Sequence, residues 1–197
     1  RKAGERALAL NPGNAEALIM LAFNDVLFGW RFEEALKKAR AAIAAAPNDA
    51  EVANFAGDVF RFTGELDEAL QWEKRAVELD PLFDVNHSDY GYSLAMRGRY
   101  QDALDSGARA LRLDPTFWSA NDMRARALLG MGEPARALAE IEQLAKSYPG
   151  SAQEFELRAR VAIAQGKPEL ARTHLAELQR LGRAGETVDY LIAIVQA

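Results

Sequence analysis

The chain of 197 residues contains no cysteine, which excludes disulfide bonds and thiolate metal sites. No apolar run approaches the roughly 20 residues of a membrane-spanning helix. Histidine is scarce, and His87 and His174 lie far apart in sequence, so we expect packed or surface side chains instead of a catalytic base. The net charge of −5 disfavours nucleic acid, which requires a basic surface. We therefore expect no enzymatic activity, cofactor, metal site, membrane segment or nucleic-acid partner.

Proline is also infrequent, but its positions are regular. Five of the seven prolines recur at successive intervals of 35, 34, 34 and 34 residues: Pro12, Pro47, Pro81, Pro115 and Pro149. A period in this range is the signature of a helical repeat array. It predicts a stack of helical hairpins, which is a surface for holding another molecule.

Small residues repeat in phase with the prolines. Alanine stands twelve residues before each of the later prolines and continues once more beyond them: Ala35, Ala69, Ala103, Ala137 and Ala171. A second small residue precedes each of these: Ala22, Gly57, Gly91, Ala125 and Ala159. A glycine marks the middle of each period: Gly29, Gly64, Gly98, Gly132 and Gly166. This pattern predicts two closely packed antiparallel helices per period, the first ending in a left-handed glycine cap.

The second and third periods carry the fullest motif. In the second period it comprises Gly57, Phe60, Gly64, Leu66, Ala69, Ala76 and Pro81. The pattern resembles the tetratricopeptide repeat family over essentially the whole chain. The resemblance implies an all-α fold, a right-handed α-α superhelix of antiparallel helix hairpins. The expected divisions are a partial repeat at 1–12, repeats at 13–47, 48–81, 82–115, 116–149 and 150–183, and a terminal helix at 184–197.

Local signals place several helix ends. Pro134 and Pro168 follow mid-repeat glycines and fit the first helical position, where the missing N–H costs nothing. Ser151 and Glu154 have the spacing of a capping box. The first repeat has one extra residue in its turn, and we expect Trp30 to pack over that widened turn.

In the resembled family, the first helix of each hairpin faces a concave groove. Transferring those positions to this chain gives a peptide-binding groove of twelve residues: Phe23, Asn54, Asp58, Arg61, Phe62, Ser88, Tyr92, Met96, Asp122, Arg126, Glu156 and Arg160. The chemistry changes along this set from apolar, through aromatic, to charged. Such a surface suits an extended protein or peptide partner, because aromatic side chains supply desolvated contact area and flanking charges set register.

The same positions have a second interpretation. Asp122 with Arg126, and Glu156 with Arg160, are four residues apart and could form solvated pairs on an exposed helix without any partner. The aromatic and methionine side chains of the second and third repeats could instead pack between neighbouring helices. Both interpretations remain open at the level of sequence.

Some relatives bind acidic C-terminal peptides through a clamp of cationic and amide side chains. In the first three repeats the matching positions hold Ile19, Phe23, Phe55, Val85 and Asp89. One repeat later they hold Asn54, Asp58, Asp89, Ser119 and Met123. Neither set supplies two cations, so we do not expect that mode of binding.

The wider context rests on resemblance alone. The segment 27–35 resembles repeat arrays of bacterial signalling proteins, and the chain begins within a repeat, so we expect a docking or regulatory segment of a larger cytoplasmic protein. Two alternatives are an accessory domain of an enzyme, such as a nucleotide-cyclase-like protein, and a structural module that self-associates through its terminal helices. The full reading frame tests the first alternative, and sedimentation tests the second.

Overall fold

A computed structural model describes residues 2–183 together with Ile192 and Val195. Within those residues the secondary structure is eleven helices without a strand, so the all-α prediction is confirmed. The helices are α1 Lys2–Leu10, α2 Ala15–Leu27, α3 Phe32–Ala45, α4 Ala50–Thr63, α5 Leu66–Leu79, α6 Asp84–Met96, α7 Tyr100–Leu113, α8 Trp118–Gly130, α9 Pro134–Ser147, α10 Ala152–Ala164 and α11 Pro168–Arg183. The terminal helix predicted at 184–197 lies outside the described residues, except for Ile192 and Val195, which belong to an apolar cluster with Leu178 and Leu181.

The helices group into two compact units. Unit 1 is Arg1–Arg97 and unit 2 is Gly98–Ala197. The division falls inside the predicted repeat at 82–115, so α6 belongs to unit 1 and α7 to unit 2.

Each unit is built from hairpins that pack side by side. In unit 1, α2 pairs with α3 and α4 pairs with α5, while α3 also packs on α4 and α5 on α6. In unit 2, α8 pairs with α9 and α10 with α11, while α7 packs on α8 and α9 on α10. We call α2, α4, α6, α8 and α10 the A helices and the other repeat helices the B helices. As far as the structure describes each unit, the backbones of neighbouring A helices pack against each other, whereas the neighbouring B helices α3 and α5 are joined by the Arg40–Glu68 ion pair. Each unit therefore has its own layer of A helices.

The matched small residues lie where the paired helices approach most closely. Ala22, Ala125 and Ala159 on A helices are fully buried, as are their partners on the B helices. At Gly57 the approach is closest, because a Cβ atom would overlap Cγ of Glu73 on α5. The predicted close packing is therefore present in both units.

The mid-repeat glycines also take the predicted backbone conformation, with one exception. Gly64 ends α4 with φ of 88°, and the glycines at 98, 132 and 166 likewise have positive φ. In the first repeat it is Trp30, not Gly29, that has positive φ, at 52°. The extra residue shifts the left-handed position by one, and the backbone N–H of Arg31 donates to the Asp25 carbonyl to close the turn.

Trp30 does not pack over this turn as expected. Its side chain is 78% exposed and contacts only Phe32 among the described aromatic residues, in an edge-to-face arrangement with ring centroids 6.0 Å apart. The left-handed position of this turn falls on Trp30 itself, and its indole stays exposed.

The predicted helix starts are confirmed. Pro134 and Pro168 are the first residues of α9 and α11. Ser151 caps α10 by accepting the Glu154 backbone N–H at 3.2 Å, while the Glu154 carboxylate accepts from the N–H of Gly150 at 2.9 Å. Asp49 caps α4 by accepting two backbone N–H groups, those of Glu51 and Val52. No helix among the described residues is long and apolar enough to cross a membrane.

Candidate functional site

The A helices of unit 1 carry an aromatic cluster. Phe23 of α2 makes an edge-to-face contact with Phe55 of α4, with ring centroids 5.3 Å apart, and its ring lies 6.3 Å from that of Phe62. Phe62 remains 45% exposed, and Met96 at the end of α6 is 55% exposed. Apolar surface from three consecutive A helices is thus available to solvent on one layer. We call Phe23, Arg61, Phe62, Tyr92 and Met96 the aromatic face.

Arg61 joins the aromatic face to the charged groups beneath it. Its guanidinium lies 4.7 Å from the ring centroid of Phe62 and 5.4 Å from that of Tyr92. Only 11% of the side chain is exposed. The cation therefore gains from both aromatic rings while it is largely shielded from water.

Three carboxylates surround this single cation. Arg61 pairs with Asp58 on the same helix, and its Nε donates to the Glu73 carboxylate of α5 at 3.2 Å. Asp89 of α6 lies 3.9 Å from the guanidinium and accepts a 2.9 Å hydrogen bond from the Asn54 amide. Glu73 is fully buried at the position that Gly57 leaves open. We call Asp58, Glu73 and Asp89 the carboxylate cluster.

Burial controls the protonation of this cluster. It raises the pKa of Glu73 to about 8, although the neighbouring Arg61 acts in the opposite direction. Burial, reinforced by the charge of Asp58, raises the pKa of Asp89 to about 7. The pKa of Asp58 is raised by burial as well, against the attraction of Arg61. Shifts of this kind, produced by desolvation and a like-charged neighbour, are concentrated at functional sites.

A cavity of about 790 Å³ lies beside the cluster, at the N-terminal halves of α4 and α6. Its apolar wall is formed by Phe55, Phe83 and Val85, and two amide side chains, Asn54 and Asn86, also line it. Five carboxylates complete the lining: Asp49, Glu51, Asp58, Asp80 and Asp89. None of the described lining residues is a lysine or arginine. The cavity therefore combines an apolar wall with charge of one sign.

Unit 2 has a different network at the equivalent positions. Arg126 of α8 binds Asp122 through Nε at 2.7 Å and Glu156 of α10 through a second nitrogen at 2.8 Å. Arg160 also donates to Glu156, at 3.3 Å. Asp122 and Glu156 are buried, so the interpretation of solvated surface pairs is wrong. The physical reason is that Arg126 bridges two A helices and replaces the water that each carboxylate would otherwise need.

The structure divides the twelve predicted groove residues into two sets. Asn54, Ser88, Asp122 and Glu156 occupy equivalent repeat positions and are buried, as is Asp58. Phe62 and Met96 are exposed, and the remainder are partly exposed: Phe23, Arg61, Tyr92, Arg126 and Arg160. The second set lies where a partner could touch it, and the first set supports it from below.

Sequence reasoning missed two contributions to this site. Glu73 lies on a B helix, yet its carboxyl group reaches the A-helix layer because Gly57 has no side chain. The other contribution is that of Asp49, Glu51 and Asp80, which line the cavity but resemble ordinary helix-start or turn residues in the sequence. The sequence carried one signal for Glu73: the small-residue position that faces it is occupied by glycine, Gly57, and not by alanine.

The two histidines are structural. His87 is buried, with Nε2 2.9 Å from the carbonyl oxygen of Pro81, and His174 packs against Phe155. Burial lowers the pKa of His174. Within the described residues, no group of three or more histidine or carboxylate side chains has an arrangement that could hold a metal ion.

Two family models, both of the tetratricopeptide repeat, match residues 30–82 and 94–161, which together exceed half of the chain. The chain belongs to the tetratricopeptide repeat family. Members of this family are scaffolds for protein–protein interaction, and the A-helix layers described above are its characteristic architecture. No curated protein matches the sequence significantly.

Solved structures agree on the fold. A tetratricopeptide repeat protein from Parabacteroides merdae has a TM-score of 0.79 and 21% identity, over 98% of this chain and 75% of that chain. PilW, a widely conserved type IV pilus biogenesis factor, has a TM-score of 0.77 and 21% identity, over 100% of this chain and 89% of its own. A thermophilic tetratricopeptide repeat protein of Thermus thermophilus has a TM-score of 0.77 and 19% identity, over 92% of this chain and 97% of that chain. At these identities the likeness concerns the fold alone.

Proposed function

We propose that the chain binds an extended segment of a partner protein on the aromatic face of unit 1. The observation that carries the proposal is the exposure of Phe62 and Met96, together with the contact of Phe62 with the largely shielded Arg61. Exposed aromatic side chains held by a rigid layer provide contact area at little cost in conformational entropy, which is typical of residues that dominate binding energy.

The rest of the unit favours one orientation of these side chains. Phe62 is held by Phe23 on one side and by the Arg61 guanidinium on the other. Arg61 is itself fixed by Asp58 and Glu73. A face supported from below in this way is preorganised, so a partner does not have to order it on binding.

The broader role follows from the sequence prediction. We propose that the array docks a partner on behalf of a larger bacterial signalling protein in the cytoplasm, as the segment 27–35 suggests. The full reading frame tests this part: a signalling domain in the same protein would support it, and a chain that carries none would contradict it.

The binding proposal is tested with peptides selected from a random dodecapeptide phage library on the immobilised 197-residue chain. We expect a selected peptide to lose about 30-fold or more in affinity for the double variant Phe62→Ala with Tyr92→Ala, because each site removes about 1–2 kcal/mol. Fluorescence anisotropy gives both affinities, and circular dichroism checks that the variant remains helical.

A matched control uses two other exposed aromatic residues of unit 1. Phe28 and Trp30, 77% and 78% exposed, lie at the turn between α2 and α3, and among the described residues no ring contact joins them to Phe23, Phe62 or Tyr92. We expect Phe28→Ala with Trp30→Ala to change affinity by less than about twofold, the scatter of a neutral surface change. Selected peptides that bind a folded Phe62/Tyr92 variant as well as wild type would contradict the proposal, as would a selection that yields no binding peptide.

A further inference from the structure

Several carboxylates that line the cavity of unit 1 have no described lysine or arginine close enough to pair with them. Of its five carboxylates, Asp58 and Asp89 lie within 4 Å of Arg61, whereas Asp49, Glu51 and Asp80 form no ion pair with any described lysine or arginine. Asp49 and Asp80 are held in place by backbone N–H donors. Fixed negative charge around an open volume favours a positively charged occupant.

The opposing effect is the dipole of the two helices that begin at the cavity. Each helix N-terminus is equivalent to roughly half a positive charge, which favours anions. Two such termini supply about one positive charge. Arg61 is shared between Asp58 and Asp89, whose pKa values burial raises, so three other carboxyl groups, those of Asp49, Glu51 and Asp80, are set against the termini. The carboxylates therefore determine the sign of the potential.

Buried acceptors provide a second, independent observation. Asn86 is 1% exposed and lines the cavity. Its amide nitrogen donates to the carbonyl oxygens of Ala76 and Asp80, but its side-chain oxygen Oδ1 has no hydrogen-bond partner among the described residues. A buried carbonyl oxygen without a donor costs about 1–3 kcal/mol, so a donor that reached Oδ1 from the cavity would relieve that cost.

We propose that this cavity takes an arginine side chain of the partner segment, as the anchor of the binding described above. The inference rests on that proposed function and specifies its chemistry. A guanidinium has five N–H donors in a plane, which suits several carboxylate and amide oxygens at once, and it is more weakly hydrated than an ammonium group. The rings of Phe55 and Phe83 form a wall against which its flat face stacks.

The test uses two small probes that differ only in charge. Acetyl-Ala-Arg-Ala-amide and the same tripeptide with neutral citrulline in place of arginine are titrated into the isotope-labelled 197-residue chain and followed by nuclear magnetic resonance. We expect the arginine probe to shift the amide signals of Glu51, Asn54 and Val85 saturably, with an affinity at least about tenfold above that of citrulline, equivalent to one charged hydrogen bond.

A matched pair of charge reversals identifies the cavity. Glu51 and Glu16 are both exposed and each is the second residue of an A helix, but Glu16 lies outside this cavity. We expect Glu51→Lys to weaken binding of the arginine probe about tenfold or more, and Glu16→Lys to change that binding less than about twofold. Both substitutions oppose a helix dipole equally, so only the loss of a carboxylate from the cavity distinguishes them. Equal affinity for citrulline, unchanged binding to Glu51→Lys, shifts confined to other residues, or no shifts at all would overturn the inference. Tighter binding of the corresponding lysine tripeptide would overturn the choice of arginine.

The outcome separates this inference from the function on which it rests. The tripeptide is too short to require Phe62 or Tyr92, so its binding survives in the double variant of those residues. Library peptides that depend on Phe62 and Tyr92 but ignore Glu51→Lys would overturn the arginine anchor and leave the binding face standing. A cavity that binds the arginine probe, in a chain that yields no peptide dependent on the aromatic face, would overturn the binding face instead.

Discussion

Each unit buries charged groups at its own layer of A helices, but the two units balance these charges differently. In unit 2, two carboxylates, Asp122 and Glu156, meet two guanidinium groups, Arg126 and Arg160. In unit 1, three carboxylates meet Arg61 alone, and burial raises the pKa of each of the three. The network of unit 2 is closed, because each carboxylate has a cation, and it holds helices together. The network of unit 1 is incomplete, and it lies beside a cavity and an exposed aromatic face.

The largest effect is expected from opening the closed network. Arg126→Met removes the cation that bridges α8 and α10 and leaves two buried carboxylates short of a partner. Loss of one member of a buried ion pair costs about 3–5 kcal/mol. Urea unfolding, with amide hydrogen exchange in α8 and α10, measures this cost.

An exposed ion pair in the same unit is the control. Arg180 pairs with Glu177 on the surface of α11, and both side chains are well exposed. We expect Arg180→Met to cost less than about 1 kcal/mol, as surface pairs do. Similar losses for the two variants would show that the buried network does not hold unit 2 together.

The incomplete network predicts an unusual dependence of stability on pH. A buried carboxyl whose pKa is raised to about 8 keeps its proton in the folded chain and loses it in the unfolded chain above about pH 4.5. The folded state therefore binds more protons, and the stability of unit 1 should rise as pH falls from about 8 towards 5. The charges that face Glu73 are Arg61, Asp58 and Asp89.

Glu73→Gln removes the titrating carboxyl group, and with it the proton that only the folded chain binds. We expect it to reduce the gain in stability between pH 8 and pH 6 by about 2 kcal/mol, since one proton contributes at most about 1.4 kcal/mol per pH unit. Denaturant midpoints at three pH values, with hydrogen exchange in α4 and α5, provide the measurement. A wild-type chain whose unit 1 is equally stable at pH 6 and pH 8 would contradict the raised pKa of the cluster.

A smaller difference between the two units is expected when a helical glycine of each is replaced by alanine. In Gly57→Ala the new methyl group overlaps Cγ of the buried Glu73 and lies 3.2 Å from its backbone nitrogen, so α4 and α5 have to separate. In Gly107→Ala of unit 2 it meets the flexible end of Met123, at 2.6 Å from Cε, and the middle of the Arg124 side chain. Overpacking against a fixed neighbour costs about 1–3 kcal/mol, whereas alanine in a helix gains about 1 kcal/mol over glycine.

We therefore expect Gly57→Ala to lower the thermal midpoint more than Gly107→Ala does. Differential scanning calorimetry of both variants checks the difference. Equal midpoints for the two variants would show that Glu73 moves aside as easily as Met123.

The smallest effect concerns the strained turn of unit 1. Trp30 has a left-handed backbone and an exposed side chain, so Trp30→Gly should raise stability by about 0.5 kcal/mol after the added chain entropy of glycine is subtracted. Gly64→Ala, at a turn with φ of 88°, should have the opposite sign. Urea midpoints measure both changes, and a loss of stability in Trp30→Gly would mean that the indole contact with Phe32 outweighs the backbone strain.

The repeat period was enough to predict the hairpins, because small residues and turn glycines act locally on helix pairs. It was not enough to predict which groove positions are exposed. Asn54 is buried because its amide donates to Asp89 of the next A helix. Asp122 is buried because it accepts from Arg126, which is itself held by Glu156 of the next A helix. The carboxylate cluster includes Glu73, which reaches Arg61 from a B helix because Gly57 has no side chain. The repeat period alone does not predict that reach.

The most direct test of the account is a crystal structure of the chain with a library-selected peptide. The account predicts an extended peptide along α4 and α6, in contact with Phe62 and Tyr92, with an arginine side chain in the acidic cavity next to Glu51. A peptide bound on the B helices, or on Phe28 and Trp30 at the α2–α3 turn, would contradict it.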